Sequence, residues 1–132
     1  MDAAAAPIYE TYAESLPETA RALFHALAAQ VAAGLHGADV RIWHGAPVWF
    51  DEGTPFVGLT LTRRGVQLLF WSGQLFDEPA LKPVGKFKAS ERVYQAIADI
   101  DPADLQRWLV KSRAIRWDYA GELKKRREAQ SE

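Results

Sequence analysis

The chain contains no cysteine, which excludes disulfides, thiolate metal sites and cysteine nucleophiles. It also lacks any apolar run approaching the roughly 20 residues that a membrane-spanning helix requires. The N-terminal segment 1–7 has neither the basic region nor the apolar region of a signal peptide. Together these absences favour a cytoplasmic protein with no membrane segment.

The sequence motifs of common enzyme classes are absent as well. There is no serine, histidine and aspartate arrangement around a nucleophile elbow, no glycine-rich phosphate loop and no His-Glu-x-x-His motif. The formal net charge of −1 argues against a dedicated nucleic-acid-binding protein. The sequence therefore favours a non-catalytic binding protein over an enzyme.

The hydrophobic pattern is helical at both ends of the chain and alternating in the middle. A short helix is predicted over 8–14, followed by a longer one over 15–35 with Ser15 and Glu18 as a capping box. Helices are also predicted over 91–100 and from Asp101 to Ile115, the second with Asp101 as its N-cap. The length of 132 residues indicates a single domain over 1–132, with 1–7 and 124–132 as frayed tails.

The middle third predicts consecutive antiparallel strands. One strand, interrupted at Gly45-Ala46-Pro47, covers 40–50, and the next two cover 55–62 and 66–71. The run 66–71 is nearly all apolar, which predicts a central strand covered on both faces, and 84–89 is predicted as an edge strand. This order predicts an α+β fold in which an antiparallel β-meander of about four or five strands packs against N- and C-terminal helices in two layers.

The interruption in the first strand is the main functional signal. Proline removes a donor from a β-ladder and glycine packs nothing, so neither serves a strand that is present only for core packing. The backbone path at Gly45 and Pro47 is therefore specified, and we expect it to present His44 at a surface or ligand-binding feature. An imidazole can bind a metal or titrate near neutrality. The alternative is a structural imidazole, hydrogen-bonded within a half-buried strand.

Tryptophans and cations supply the other candidate binding residues. Trp43, Trp49 and Trp71 lie near predicted strand ends, where they could line a pocket for a flat or apolar ligand or cap the core. A second group could recognise an anion, and it comprises Lys86 and Lys88 of the predicted edge strand with Arg63 and Arg64 of a nearby turn.

Three carboxylates are candidates for metal binding, together with His44. Glu10, Glu14 and Glu18 recur every four residues and would share one face of a continuous helix, where carboxylate oxygens suit a hard cation such as ferrous iron. Pro17 argues for a helix break between Glu14 and Glu18, and an ordinary solvated helix face is the other interpretation.

From residue 8 to residue 115 the chain resembles the YdhG-like family, a bacterial domain of unknown function. The resemblance depends on the segment 42–50, the hairpin after it, Leu68-Leu69-Phe70-Trp71, Gly85-Lys86-Phe87-Lys88 and the last helix. Many members have Tyr-Gly-Met-Pro where this chain has His44-Gly45-Ala46-Pro47, so only the glycine and the proline match. Some relatives are described as frataxin-like iron carriers, so the resemblance implies iron as a possible cargo.

These observations predict a small binding protein with its site at the His44/Trp49/Trp71 end of the sheet. The expected partner is a small molecule or a metal ion, with no membrane or nucleic acid involved. The alternative is a protein–protein interaction module that uses an exposed aromatic patch. As an assembly, a monomer or a weak homodimer is expected.

Overall fold

The structure, a computed structural model, describes residues 7–117. The predicted tails at 1–7 and 124–132 lie outside the described residues, apart from Pro7. Within the described range the chain forms three α-helices and six strands. They are α1 (Ile8–Glu14), α2 (Glu18–Gly34), β1 (Asp39–Trp43), β2 (Ala46–Asp51), β3 (Thr54–Thr62), β4 (Gly65–Phe70), β5 (Lys82–Pro83), β6 (Ser90–Tyr94) and α3 (Pro102–Ala114).

The strands form a single antiparallel sheet in the order β1-β2-β3-β4-β6-β5. The predicted antiparallel pairing of 48–50 with 55–62, and of 55–62 with 66–71, is confirmed. The α+β class with helices at both ends of the chain is confirmed too, with six strands instead of four or five. No helix within residues 7–117 has the length and apolar character needed to cross a membrane.

The helices pack on one face of the sheet and enclose the core there. Alternate residues of the central strands point to this face, because side chains along a strand alternate between its two sides. The sheet contributes Trp49, Val57, Leu59, Val66, Leu68, Phe70 and Tyr94. The helices contribute Leu23, Phe24, Leu27 and Val31 from α2, and Leu105, Trp108 and Leu109 from α3.

The helix ends follow the sequence in one case and depart from it in the other. At the start of α3 the backbone N–H of Asp104 donates to the Asp101 carboxylate at 3.1 Å, as the sequence predicted. The capping box of Ser15 and Glu18 is wrong, because α2 begins at Glu18 directly after Pro17. The hydroxyl of Ser15 instead donates to the carbonyl of Tyr12 at 2.6 Å, within the last turn of α1.

Two predictions for residues 84–100 are wrong. The edge strand predicted at 84–89 is an irregular segment, and the strand at this edge is the short β5, Lys82–Pro83. The helix predicted at 91–100 begins as strand β6, which pairs along all five residues with β4. Val93, Ile97 and Ile100 happen to have helical spacing. Strand pairing prevails over this helical spacing, because without β6 the strand β4 would have a row of backbone N–H and C=O groups without hydrogen-bond partners.

Candidate functional site

The face of the sheet opposite the helices, called here the open face, has no helix over it among residues 7–117. The strand register assigns its side chains, since residues directly opposite each other on paired strands share a face. They are Arg41 and Trp43 of β1, Ala46, Val48 and Phe50 of β2, Gly58 and Thr60 of β3, Gln67 and Leu69 of β4, and Glu91 and Val93 of β6. This face divides into an aromatic half and a polar half.

The interruption at 45–47 is a tight hairpin turn and not a break within one strand. Residues 40–43 and 48–50 belong to separate strands, joined by the two-residue turn His44-Gly45. Both turn residues have positive φ, 54° and 82°, as a type I′ hairpin turn requires. Pro47 lies inside β2, opposite Ile42 and just before the β2–β3 pairing begins at Val48.

Four aromatic rings meet beside this turn. The rings of Trp43 and Trp71 are stacked with centroids 6.2 Å apart, and Phe50 meets Trp43 edge-on at 5.7 Å. The imidazole of His44 lies 4.3 Å from the Trp43 ring, and the Arg41 guanidinium covers Phe50 at 4.2 Å. Such contacts between rings favour particular orientations and contribute free energy in addition to that of burying apolar area.

These rings border a concave pocket of about 190 Å³ on the open face, called here the open-face pocket. It is lined by Trp43, His44, Ala46, Pro47, Val48, Gly58, Leu59, Thr60, Gln67, Leu69 and Trp71. Gly58 determines its shape: a β-carbon there would stand 3.2 Å from Cζ3 of Trp71. The absence of a side chain at Gly58 therefore lets the Trp71 indole approach β3 closely.

The structure brings together some of the predicted site residues and separates others. Trp43, His44, Pro47 and Trp71 all line the open-face pocket, and Gly45 completes the adjacent turn. Trp49 does not belong with them. Its ring lies on the helix side, 2% exposed and stacked on Tyr9 at 5.8 Å, because it alternates with Val48 along β2.

The cations predicted to bind an anion do not line a common pocket. Lys86 and Lys88 lie in the irregular segment after β5 and do not line the open-face pocket. The ammonium of Lys88 is 5.3 Å from the centre of the Trp117 ring. Arg64 forms an ion pair with Glu91 and lines a small pocket with Lys82 and Arg92, and neither Lys86 nor Lys88 lines that pocket.

The candidate metal ligands are not assembled either. His44 is exposed in its turn instead of half-buried in a strand, and its imidazole has no hydrogen-bond partner among the described residues. Glu14 accepts a hydrogen bond from His25 at 2.9 Å, and the break at Ser15–Pro17 takes Glu18 out of line with Glu10 and Glu14. Across residues 7–117, no group of three or more histidine, aspartate or glutamate side chains could hold a metal ion.

A buried carboxylate organises the polar half of the open face. Glu91, with its side chain 7% exposed, accepts two hydrogen bonds from the Arg64 guanidinium at 2.9 and 2.8 Å. The amide nitrogen of Gln67 donates to the same carboxylate at 2.9 Å. The bonds from Arg64 are the main reason that the pKa of Glu91 is lowered, against the opposing effect of burial.

Sequence reasoning missed Gly58, Gln67 and Glu91. The signals for the first two were present: Gly58 sits at a small position in an alternating strand, and Gln67 is the one polar residue in the run 66–71. That run is buried on one face only, since burial alternates along β4, so the prediction of a strand covered on both faces is wrong. The helix predicted over 91–100 hides the position of Glu91 next to Gln67, because that position follows from the pairing of β6 with β4.

Comparisons with protein-family models, with curated proteins and with solved structures found no match for this chain. The resemblance to the YdhG-like family accordingly stays a prediction, and so does the iron cargo that it implies.

Proposed function

We propose that this protein is a non-catalytic, cytoplasmic binding protein that holds a small, flat, largely apolar molecule in the open-face pocket. The observation that carries the proposal is a concave site with two stacked indoles, Trp43 and Trp71, on the one sheet face that the helices of residues 7–117 leave uncovered. Small-molecule sites in proteins are concave, mostly apolar and equipped with few polar groups. Of the lining residues within the described range 7–117, His44, Thr60 and Gln67 alone carry a polar side chain apart from the indole N–H groups.

The shape of the ligand follows from the walls of the pocket. The Trp71 ring lies over Gly58 of β3 and stacks with Trp43, so the two indoles form an apolar wall beside Val48 and Leu69. A planar aromatic molecule can stack on such indoles and cover the neighbouring apolar side chains at the same time. A volume of about 190 Å³ suits a single aromatic ring or two fused rings better than a long chain.

Indole is the probe for the first experiment. We expect saturable amide shifts in ¹H–¹⁵N spectra at Trp43, Gly58 and Trp71, with a Kd of about 0.1–1 mM, as expected for a ligand of so few atoms. Trp43→Ala should weaken binding by about tenfold or more by removing one stacked ring. Val110→Ala is the control, since Val110 is the same kind of exposed apolar residue, 67% exposed on α3 and outside the pocket.

Displacing the Trp71 ring gives a second test that keeps both tryptophans in the chain. Gly58→Val places methyl groups against the Trp71 ring, which already lies 3.2 Å from a β-carbon at this position, and we expect it to abolish the indole-induced shifts while the rest of the spectrum remains dispersed. Indole shifts that do not saturate in the wild-type protein, or that survive in Gly58→Val, would overturn the proposal.

A protein partner is the second candidate, and the exposure of the hairpin favours it. Ile42 and Trp43 are 43% and 40% exposed at the edge of the sheet, where apolar side chains are available to another chain. On this alternative, Ile42→Ser should impair capture of the partner while indole still binds, because Ile42 does not line the pocket.

A further inference from the structure

Gln67 lines the open-face pocket, and the orientation of its side-chain amide is fixed by Glu91, which lies outside the pocket. Glu91 lies next to the pocket and is held by two hydrogen bonds from Arg64. A carboxylate has no proton to donate, so every neighbour that bonds to it must be a donor. The lowered pKa of Glu91 keeps it in this ionised form at neutral pH.

The need for a donor determines the orientation of the Gln67 amide. Its amide could point either branch at Glu91, but only the –NH₂ branch is a donor, and this branch bonds to Oε2 of Glu91 at 2.9 Å. The amide oxygen is on the other branch and is turned away from Glu91. Gln67 lines the pocket, and its amide oxygen accepts no hydrogen bond from the described part of the chain.

The other polar groups of the pocket do not have a fixed role. The hydroxyl of Thr60 can donate or accept and lies 3.4 Å from the hydroxyl of Tyr12. The His44 imidazole can present either a donor or an acceptor, depending on its tautomer. Among residues 7–117 no lysine or arginine lines the pocket, so a carboxylate ligand would find no cation from this part of the chain and would meet the oxygen of Gln67.

We infer that Gln67, held by Glu91 and Arg64, makes the pocket selective for neutral aromatic molecules that carry a hydrogen-bond donor, such as the N–H of a fused heterocycle. This inference rests on the proposed function, since it concerns the same pocket. Gln67 acts as a specificity-determining residue that would touch the ligand. Glu91 and Arg64 act as positioning residues, because they set which end of the Gln67 amide faces the pocket.

Two isosteric probes test the selectivity. Indole carries an N–H where benzofuran carries an oxygen, and the molecules are otherwise nearly the same in size and shape. In the wild-type protein we expect indole to bind about tenfold more tightly than benzofuran, because the oxygen of benzofuran would face the oxygen of Gln67. Kd values from amide shifts give the ratio directly.

Variants then assign the preference to Gln67. Gln67→Leu should bring the ratio of the two Kd values close to one, whereas Thr60→Val, which alters another polar wall of the same pocket, should leave it unchanged. Glu91→Gln should also reduce the ratio, because a neutral amide at 91 permits the Gln67 amide to rotate and offer its –NH₂ group to benzofuran.

The outcomes separate the two proposals. Equal binding of indole and benzofuran to the wild-type protein would overturn the role of Gln67 and leave the pocket as a binding site. Saturable binding of neither probe would overturn the proposed function itself. The wild-type comparison needs no variant, so it decides the matter even if Glu91→Gln fails to fold.

Discussion

His44 occupies a turn position whose backbone conformation favours residues other than histidine. Its φ of 54° lies in the left-handed region, which suits Asn and Gly at the two centres of a type I′ turn. Histidine tolerates this region better than a β-branched residue does, yet it is not the best residue for it. Turn stability therefore does not account for the imidazole, whose visible contact is the ring of Trp43.

The first prediction separates the turn from the imidazole. We expect His44→Asn to keep or raise the free energy of unfolding, by up to about 1 kcal/mol, because Asn fits the left-handed conformation more easily. Gly45→Ala should lower it by about 1–3 kcal/mol through backbone strain. Urea denaturation measures both. A loss above about 1 kcal/mol in His44→Asn would indicate a structural role of the imidazole that the turn geometry does not reveal.

Glu78 is the most heavily bonded carboxylate of the described chain. Its side chain is 8% exposed and receives hydrogen bonds from Arg107 at 2.8 and 2.9 Å, from the indole N–H of Trp108 at 2.9 Å and from Lys111 at 2.6 Å. Lys111 also donates to the carbonyl of Phe76 at 2.7 Å. One carboxylate thus fastens the loop between β4 and β5 to helix α3.

The second prediction concerns that fastening. Glu78→Gln keeps the size of the side chain but removes its charge and replaces one acceptor oxygen with an –NH₂ donor, which leaves Arg107 and Lys111 with a single neutral acceptor. We expect the free energy of unfolding to fall by about 2–4 kcal/mol. Glu14→Gln is the control, because Glu14 is exposed and its pair with His25 should change stability by less than about 1 kcal/mol. Equal effects of the two variants in urea denaturation would argue against the anchoring role of Glu78.

Among the helices and strands, the segments that matched prediction were those bounded by local sequence signals such as caps and turn residues. Helix α3 carries its own start signal in Asp101-Pro102, and β3 and β4 are joined at Thr62-Arg63-Arg64-Gly65, with turn residues between them. Strand β6 lacks such signals. Its assignment depends on β4, a partner twenty or more residues away in the chain, and no local pattern within 90–94 reveals that pairing.

The third prediction tests the local signal of α3. Asp101→Ala should lower the free energy of unfolding by about 1 kcal/mol, because the N–H of Asp104 loses its side-chain acceptor. Asp101→Asn retains an acceptor oxygen and should cost less than half as much. Thermal unfolding of both variants gives the comparison, and a larger loss for Asn than for Ala would contradict the capping role.

Across the whole molecule, two buried carboxylates make stability sensitive to acid. Glu78 ties a loop to the helical layer, and Glu91 lies on the open face. Arg107 and Lys111 hold the pKa of Glu78 well below its ordinary value, and Arg64 lowers the pKa of Glu91. In the unfolded chain both groups return to the ordinary value of about 4.3.

The fourth prediction follows from that difference. Below about pH 5 the unfolded chain binds protons that the folded protein does not bind, so acid favours unfolding. Each group contributes its full stabilisation above the unfolded pKa, and this is lost as the pH falls towards the folded pKa, at about 1.4 kcal/mol per pKa unit of difference. Urea denaturation at pH 7, 5, 4 and 3 should show a falling free energy of unfolding, with a shallower fall in Glu78→Gln. A pH-independent free energy over this range would contradict the prediction.

The sequence alone predicts the α+β class, the antiparallel pairing of β2, β3 and β4 and the cap of α3. These features are encoded locally, in the two-residue alternation of strands, in caps and in turn residues. The tertiary structure alone decided which face of the sheet each residue occupies. Because successive side chains of a strand point to opposite faces, Trp49 lies in the core while Trp43 lies on the open face. The pairing of β6 with β4, which are distant in the chain, places Glu91 beside Gln67. A pocket lined by residues from four strands exists only after those strands are in register, because its walls are neighbours in space and not in sequence.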